Sequence, residues 1–289
     1  MNQPELRRDM TFDEYRLAPG VNYSKIKLFE FSSVQGEYEL AQEREDKWEF
    51  RFGRHVHSAA LEPESWARTP KVVVPMNPKA YPATFEAQRD KALTKDAPDN
   101  AVVMPHEWHE WIPQAAESIR GLPHVAHLID VGQAESSAFW TDPTLDMRCK
   151  ARLDFVRVHN GRAVIADIKT ASDITPDGFR RNAKKFLYHW QAAWYIRAAY
   201  HAFPEIEAVD QFQFWVVQNK PPFEARVYVA KPYVIEYGWL KMLEAIERYK
   251  DWRTTSIAKP STDKASWLEM WIDDQNAIPN PPLHPRQEQ

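Results

Sequence analysis

Residues 148–170, RCKARLDFVRVHNGRAVIADIKT, decide the fold. Two runs of β-branched and alternating residues flank Asn160-Gly161, a dipeptide suited to a two-residue hairpin turn because both of its positions need positive φ. Across such a hairpin the numbers of facing residues sum to a constant, so His159 faces Arg162 and Asp154 faces Asp167. Directly opposed residues have Cβ atoms about 4.5–5.5 Å apart, and like charges there repel unless something sits between them. A divalent cation would serve. Alternation places Arg152, Asp154, Asp167 and Lys169 on one face, and Cys149, Ala151, Leu153 and Phe155 with Ala166 and Ile168 on the other. The expectation is a core face and a site face. The alternative is a solvent-facing hairpin with ordinary mixed charge, and a bulge near the turn would shift the register and break the Asp154–Asp167 pairing.

Working outward, 44% hydrophobic residues and 12 Trp among 289 residues exclude a disordered chain, and this length suits one large domain or two small ones. With only 8 Gly and no glycine-rich run, a phosphate-cradling loop is absent and nucleotide-cofactor enzymes become poor candidates. The single cysteine, Cys149, excludes an internal disulfide and any all-cysteine metal site, and it suits a reducing compartment. No apolar leader or long apolar span is visible, so the expected location is the cytoplasm. A formal net charge of −4 means that any nucleic-acid contact must be local. Arg148-Lys150-Arg152, Arg180-Arg181 and Lys184-Lys185 are the basic clusters, each readable also as a solvated face.

The pattern predicts a helix over 23–42 capped by Ser24 and broken near Gly36, and a second helix over 48–64. Residues 63–104, interrupted by Pro70, Pro75, Pro78 and Pro82, read as excursion and loop. A helical stretch over 105–130 precedes strands at 136–140, 148–158 and 162–170. One long helix is expected over 179–203, then strands over 208–218 and 224–230 and a helix over 233–252. A single α/β domain over 1–255 and a Pro-rich irregular tail over 256–289, anchored by Trp267 and Trp271, is the economical division.

Asp154 followed by Asp167-Ile168-Lys169 resembles the D…(D/E)xK signature of the PD-(D/E)XK nuclease superfamily, with Leu153 where the eponymous proline would stand. Gln191 with Tyr195 resembles the QxxxY element of its RecB-type branch, and Gly53 with His57 that branch's GxxxH element. Over residues 22–250 the wording is similar to the RecE-like, exodeoxyribonuclease VIII type, exonucleases of phages and prophages. RFGRHVHSAALEPE, AESSAFW, CKARLD and YHWQAAWY carry that resemblance, and residues 63–130 carry none of it.

The resemblance implies an α/β core with a central mixed sheet flanked by helices. It implies a Mg²⁺-dependent exonuclease, with Mn²⁺ as a substitute, that digests double-stranded DNA ends 5′ to 3′. The expected partners are a single-strand annealing protein of RecT type and further copies of the chain in a ring. An endonuclease of the same fold, or a catalytically silent DNA-binding subunit, is the alternative. Mg²⁺ prefers hard oxygen ligands, which Asp154 and Asp167 supply. The Ile168 carbonyl completes the set by resemblance, and Glu135 and His57 are further candidates. Lys169 would orient or deprotonate the attacking water and offset charge at the phosphate, or else form a plain cross-strand salt bridge. The gap at Gly53, one turn before His57, would admit DNA backbone or metal. Gln191, a polar residue in an aromatic helical stripe, would orient the lysine or grip a phosphate. Arg152, Arg180, Lys184, Lys185 and Tyr195 are the candidate DNA contacts.

Overall fold

The computed structural model describes residues 4–42, 48–74, 98 and 101–261. A six-stranded mixed sheet forms its centre: β1 (Glu5–Arg7), β4 (Gln133–Asp142), β5 (Met147–His159), β6 (Arg162–Ala171), β7 (Ala208–Gln218) and β8 (Ala225–Val229), side by side in that order. Neighbours run antiparallel except β6 and β7, which are parallel and joined by two helices. A parallel pair requires such a crossover. Two further strands, β2 (Lys71–Val74) and β3 (Val102–Pro105), form a separate parallel pair inside the segment read as loop.

The Asn160-Gly161 turn forms as its chemistry requires, with φ of 48° and 75°. It sets the expected register from His159↔Arg162 back to Phe155↔Ala166. The expectation of one core face and one site face is corrected. Cys149, Ala151 and Leu153 pack with Trp140, Ile165 and Trp194 in one cluster, whereas Phe155, Ala166 and Ile168 pack with Val56, Ile112 and Trp215 in another. Both faces of the sheet are core, as a sheet sandwiched between helix layers requires.

The helices of the second layer are α4 (Trp48–Leu61) and α6 (His106–Arg120), with the short α5 (Pro63–Arg68) and α7 (Pro123–Ala126) between and after them. The opposite layer holds α9 (Tyr188–Ala202) and α10 (Pro232–Thr255). The helix expected over 23–42 is two: α2 (Tyr23–Ile26), continued by a 3₁₀ turn, and α3 (Ser33–Ala41), capped by Asn22 and Ser32 rather than Ser24. Gly36 lies within α3 and does not break it; its missing side chain makes room for the Phe29 ring. The single helix expected over 179–203 is also two, α8 (Pro176–Lys185) and α9, because Leu187 adopts a left-handed conformation (φ 57°). No Gly or Asn marks that break. Strand β1 and helix α1 (Phe12–Leu17) were not anticipated. Trp267 and Trp271 lie outside the described residues, while Lys259 is held on α3 through the Ser33 hydroxyl and the Val34 N–H.

α9 and α10 approach closely at Gly238, where a Cβ would lie 2.6 Å from the His189 carbonyl carbon. Alanine there gains about 1 kcal/mol in helix propensity, but overpacking against a backbone that cannot rotate away costs about 1–3 kcal/mol or more. Gly238→Ala should therefore lower stability by up to about 2 kcal/mol in urea unfolding; a more stable variant would show that the contact relaxes.

Candidate active site

The β5–β6 ladder stops at Phe155↔Ala166. One step further, the Asp154 carboxylate enters the gap and Oδ2 accepts the Ile168 N–H at 3.0 Å. The β4–β5 ladder also skips a step there, pairing Ala134 with Phe155 and Ser136 with Leu153 but not Glu135 with Asp154. Glu135 has a φ of 48°, a region that a non-glycine residue enters only when its surroundings hold it. What holds it is Arg152, whose Nε donates to Glu135 Oε2 at 2.7 Å and whose Nη1 bonds the Ser137 hydroxyl (3.0 Å) and the Met10 carbonyl (2.6 Å).

His57 enters from α4, with Nδ1 3.2 Å from Asp154 Oδ2 and a further hydrogen bond to the Ile168 main chain. His57, Glu135 and Asp154 each offer one ligand atom, all within 4.8 Å of one another. The close approach allowed by Gly53 is to strand β6, since a Cβ would lie 3.3 Å from Thr170 Oγ1; it seats α4 against the sheet and is not a gap for DNA or metal.

Asp167, 1% exposed, lies close enough to Asp154 for each carboxylate to feel the other's charge. It accepts from Gln191 Nε2 at 2.6 Å and is ion-paired with Lys169. Gln191 thus orients an aspartate rather than the lysine, and among the described residues its buried Oε1 finds no donor. Lys169 Nζ also lies 4.7 Å from the centre of the Tyr188 ring, a cation–π contact.

Burial raises the Asp167 carboxyl to about 7, aided by the Asp154 charge and opposed by Lys169. Burial, with the same Asp154 charge, raises Glu135 to about 7 against the pull of Arg152. Burial also pushes Asp154 up and His57 down. For Lys169 burial works downward, but the Asp167 carboxylate outweighs it and the ammonium is held above its ordinary value. Three carboxylates, Glu135, Asp154 and Asp167, thus meet two permanent cations, Arg152 and Lys169, around a neutral imidazole. One imidazole nitrogen and two carboxylate oxygens within 4.8 Å of one another fit a divalent cation.

The remaining expected site residues are placed differently. Arg152, expected in a DNA channel, is turned inward onto Glu135. Tyr195, expected to touch DNA, is buried and packs edge-on against Tyr23. Arg180, Lys184 and Lys185 lie exposed on α8, with Arg180 ion-paired to Asp177. Arg152 stands directly opposite Ser137 on β4, two residues from Glu135, a placement that brings its guanidinium to both.

This is the architecture of a PD-(D/E)XK nuclease. A family model described as "PDDEXK-like domain of unknown function (DUF3799)" matches residues 23–268, and the chain belongs to that family. The crystal structure of a "putative exonuclease" from Eubacterium rectale superposes with a TM-score of 0.56 at 13% identity, over 93% of this chain and 98% of that one. A second solved structure, SSO0001, reaches a TM-score of only 0.27 at 9% identity over 83% of this chain and 88% of that one, too low to carry any argument. No curated protein matches the sequence. Among the described residues no helix is long and apolar enough to cross a membrane.

An unfolded aspartate titrates near 3.9, and Asp167 in the folded chain near 7. Its favourable contribution is therefore complete below about pH 4 and is lost as pH rises toward about 7. Without metal, thermal stability should fall between about pH 4 and pH 7, and Asp167→Asn should flatten that slope. Added divalent cation should raise Tm more at the higher pH, where the carboxylates no longer hold protons. An unchanged slope in the Asn variant would place the titration elsewhere.

Proposed function

We propose that this protein is a divalent-cation-dependent deoxyribonuclease of RecE-like type, acting at double-stranded DNA ends. The observation that carries the reading is the convergence of Asp154, Asp167 and Lys169 with His57 and Glu135 in one buried cluster. The Eubacterium rectale protein of similar fold carries the description "putative exonuclease", which supports the same reaction class.

His57, Asp154 and Glu135, with the Ile168 carbonyl, would hold the cation; Mg²⁺ is the expected ion and Mn²⁺ a substitute, which the imidazole nitrogen favours. When bound, the cation supplies Lewis-acid stabilisation of charge at the phosphate. Arg152 keeps Glu135 in its strained conformation, and Gln191 fixes the rotamer of Asp167. Lys169 acts as an ammonium. With its proton held tightly it is a poor base, so it orients the attacking water and neutralises developing negative charge. Product strands would pass to an annealing protein, and a ring of copies, each presenting Arg180, Lys184 and Lys185, would grip duplex despite the net charge of −4.

Asp154→Ala should abolish hydrolysis together with metal binding by calorimetry, whereas Lys169→Ala should bind Mg²⁺ and lose about 10²–10⁴-fold in rate. Loss of metal affinity in the lysine variant would make Lys169 structural. Linear duplex should be degraded while covalently closed circles survive, with the protein sedimenting as a trimer or larger. Comparable nicking of closed circles would identify an endonuclease, and a monomeric active species would remove the ring.

A further inference from the structure

The short helix α1 is fixed at both ends by the strand that carries Asp154. Arg152 bonds the Met10 carbonyl at its entry, and Lys150 Nζ bonds the Tyr15 (2.9 Å), Arg16 (3.2 Å) and Ala18 (2.6 Å) carbonyls at its exit. A capping box closes its first turn: Thr11 Oγ1 accepts the Glu14 N–H at 3.2 Å, and Glu14 Oε2 accepts the Thr11 N–H at 2.7 Å. An immobilised helix of this kind presents its side chains at little entropic cost.

Phe12, its first residue, is 48% exposed although it is large and aromatic. The Arg54 guanidinium lies 5.9 Å from the centre of its ring. Arg54 stands on α4 one turn before His57, and Phe50, 56% exposed, one turn before Arg54 on the same face. The path from Glu135 through Arg152 and Met10 to Phe12, then through Arg54 to His57, returns to the candidate cation site by short steps. Phe12 and Arg54 therefore stand at the rim of that site.

We propose that Phe12 is a stacking platform for a nucleobase of the DNA strand being cut, with Arg54 beside it for the adjoining phosphate and Phe50 continuing the aromatic strip. The inference rests on the nuclease reading and adds to it a subsite for a base outside the duplex stack. An exposed aromatic ring beside a guanidinium matches the two surfaces of a nucleotide, a π face and an anion. The rim therefore favours a single-stranded or frayed end over a closed duplex, since a stacked and paired base offers neither face.

The test uses full-length protein with Ca²⁺ in place of Mg²⁺, so that DNA binds without being cut, and oligonucleotides carrying 2-aminopurine or an abasic residue at successive positions from the end. One position should change 2-aminopurine fluorescence on binding, and an abasic residue there should weaken binding about tenfold. Phe12→Ala should weaken binding of the intact oligonucleotide by a similar factor and leave the abasic one indifferent to the substitution, whereas Phe12→Trp should restore base dependence. Equal base dependence in wild type and Phe12→Ala would overturn the platform. Hydrolysis of bis(p-nitrophenyl) phosphate by the wild-type protein with Mg²⁺ separates the two readings: if the baseless ester is cleaved and Phe12→Ala binds DNA unchanged, only the platform fails. If the wild type neither cleaves that ester nor binds oligonucleotide, the nuclease reading fails with it.

Discussion

The carboxylate of Asp154 takes the place of a ladder bond. By accepting the Ile168 N–H it satisfies a donor that the opening of β5 and β6 would otherwise leave buried and unpaired. The opening brings Asp154 and Asp167 together, frees the Ile168 carbonyl for other partners and lets His57 reach in from α4. It also leaves Glu135 without a ladder partner, and the positive φ of that residue follows the same break. A fully zipped hairpin would hold the two aspartates in the sheet with no room for a third ligand between them.

Arg152 and Lys169 are both cations beside carboxylates, yet their placements differ. Arg152 spends its guanidinium on Glu135, Ser137 and the Met10 carbonyl, a fixed fork suited to holding geometry. Lys169 carries a compact ammonium between Asp167 and the Tyr188 ring. The helix α9 braces both strands from the opposite layer, through Gln191 to the Asp167 carboxylate on β6 and through the Trp194 indole to the Lys150 carbonyl on β5. Lys169 and Asp167 form a buried ion pair, so removing either partner leaves the other uncompensated, and removing Asp154 also leaves the Ile168 N–H without its acceptor.

The N-terminal segment belongs to the same construction. Lys150, 5% exposed, spends its ammonium on three carbonyls of the α1 end and lies 4.8 Å from the Tyr15 ring centre. A buried lysine satisfied in this way contributes by organising chain far off in sequence, not by offering charge to a ligand. Alternate residues of β5 therefore divide the labour: Lys150 and Arg152 fasten residues 10–18, and Asp154 enters the candidate cation site.

The sequence by itself determined the parts governed by neighbours along the chain. Asn160-Gly161 demanded positive φ twice and thereby set the β5–β6 register, and the spacing of Asp154, Asp167 and Lys169 marked the candidate site. Only the tertiary structure decided that Leu153 and Phe155 lie in opposite core layers, because the irregularity of the ladders at Asp154 interrupts the period-two alternation of β5. It also decided that Arg152 and Tyr195 turn inward, that Gln191 serves Asp167, and that Leu187 splits one helical pattern into two. Each of those outcomes depends on a partner distant in sequence: Glu135 for Arg152, Tyr23 for Tyr195, Asp167 for Gln191. Local propensity carries no record of such partners, and tertiary packing overrides it where they meet.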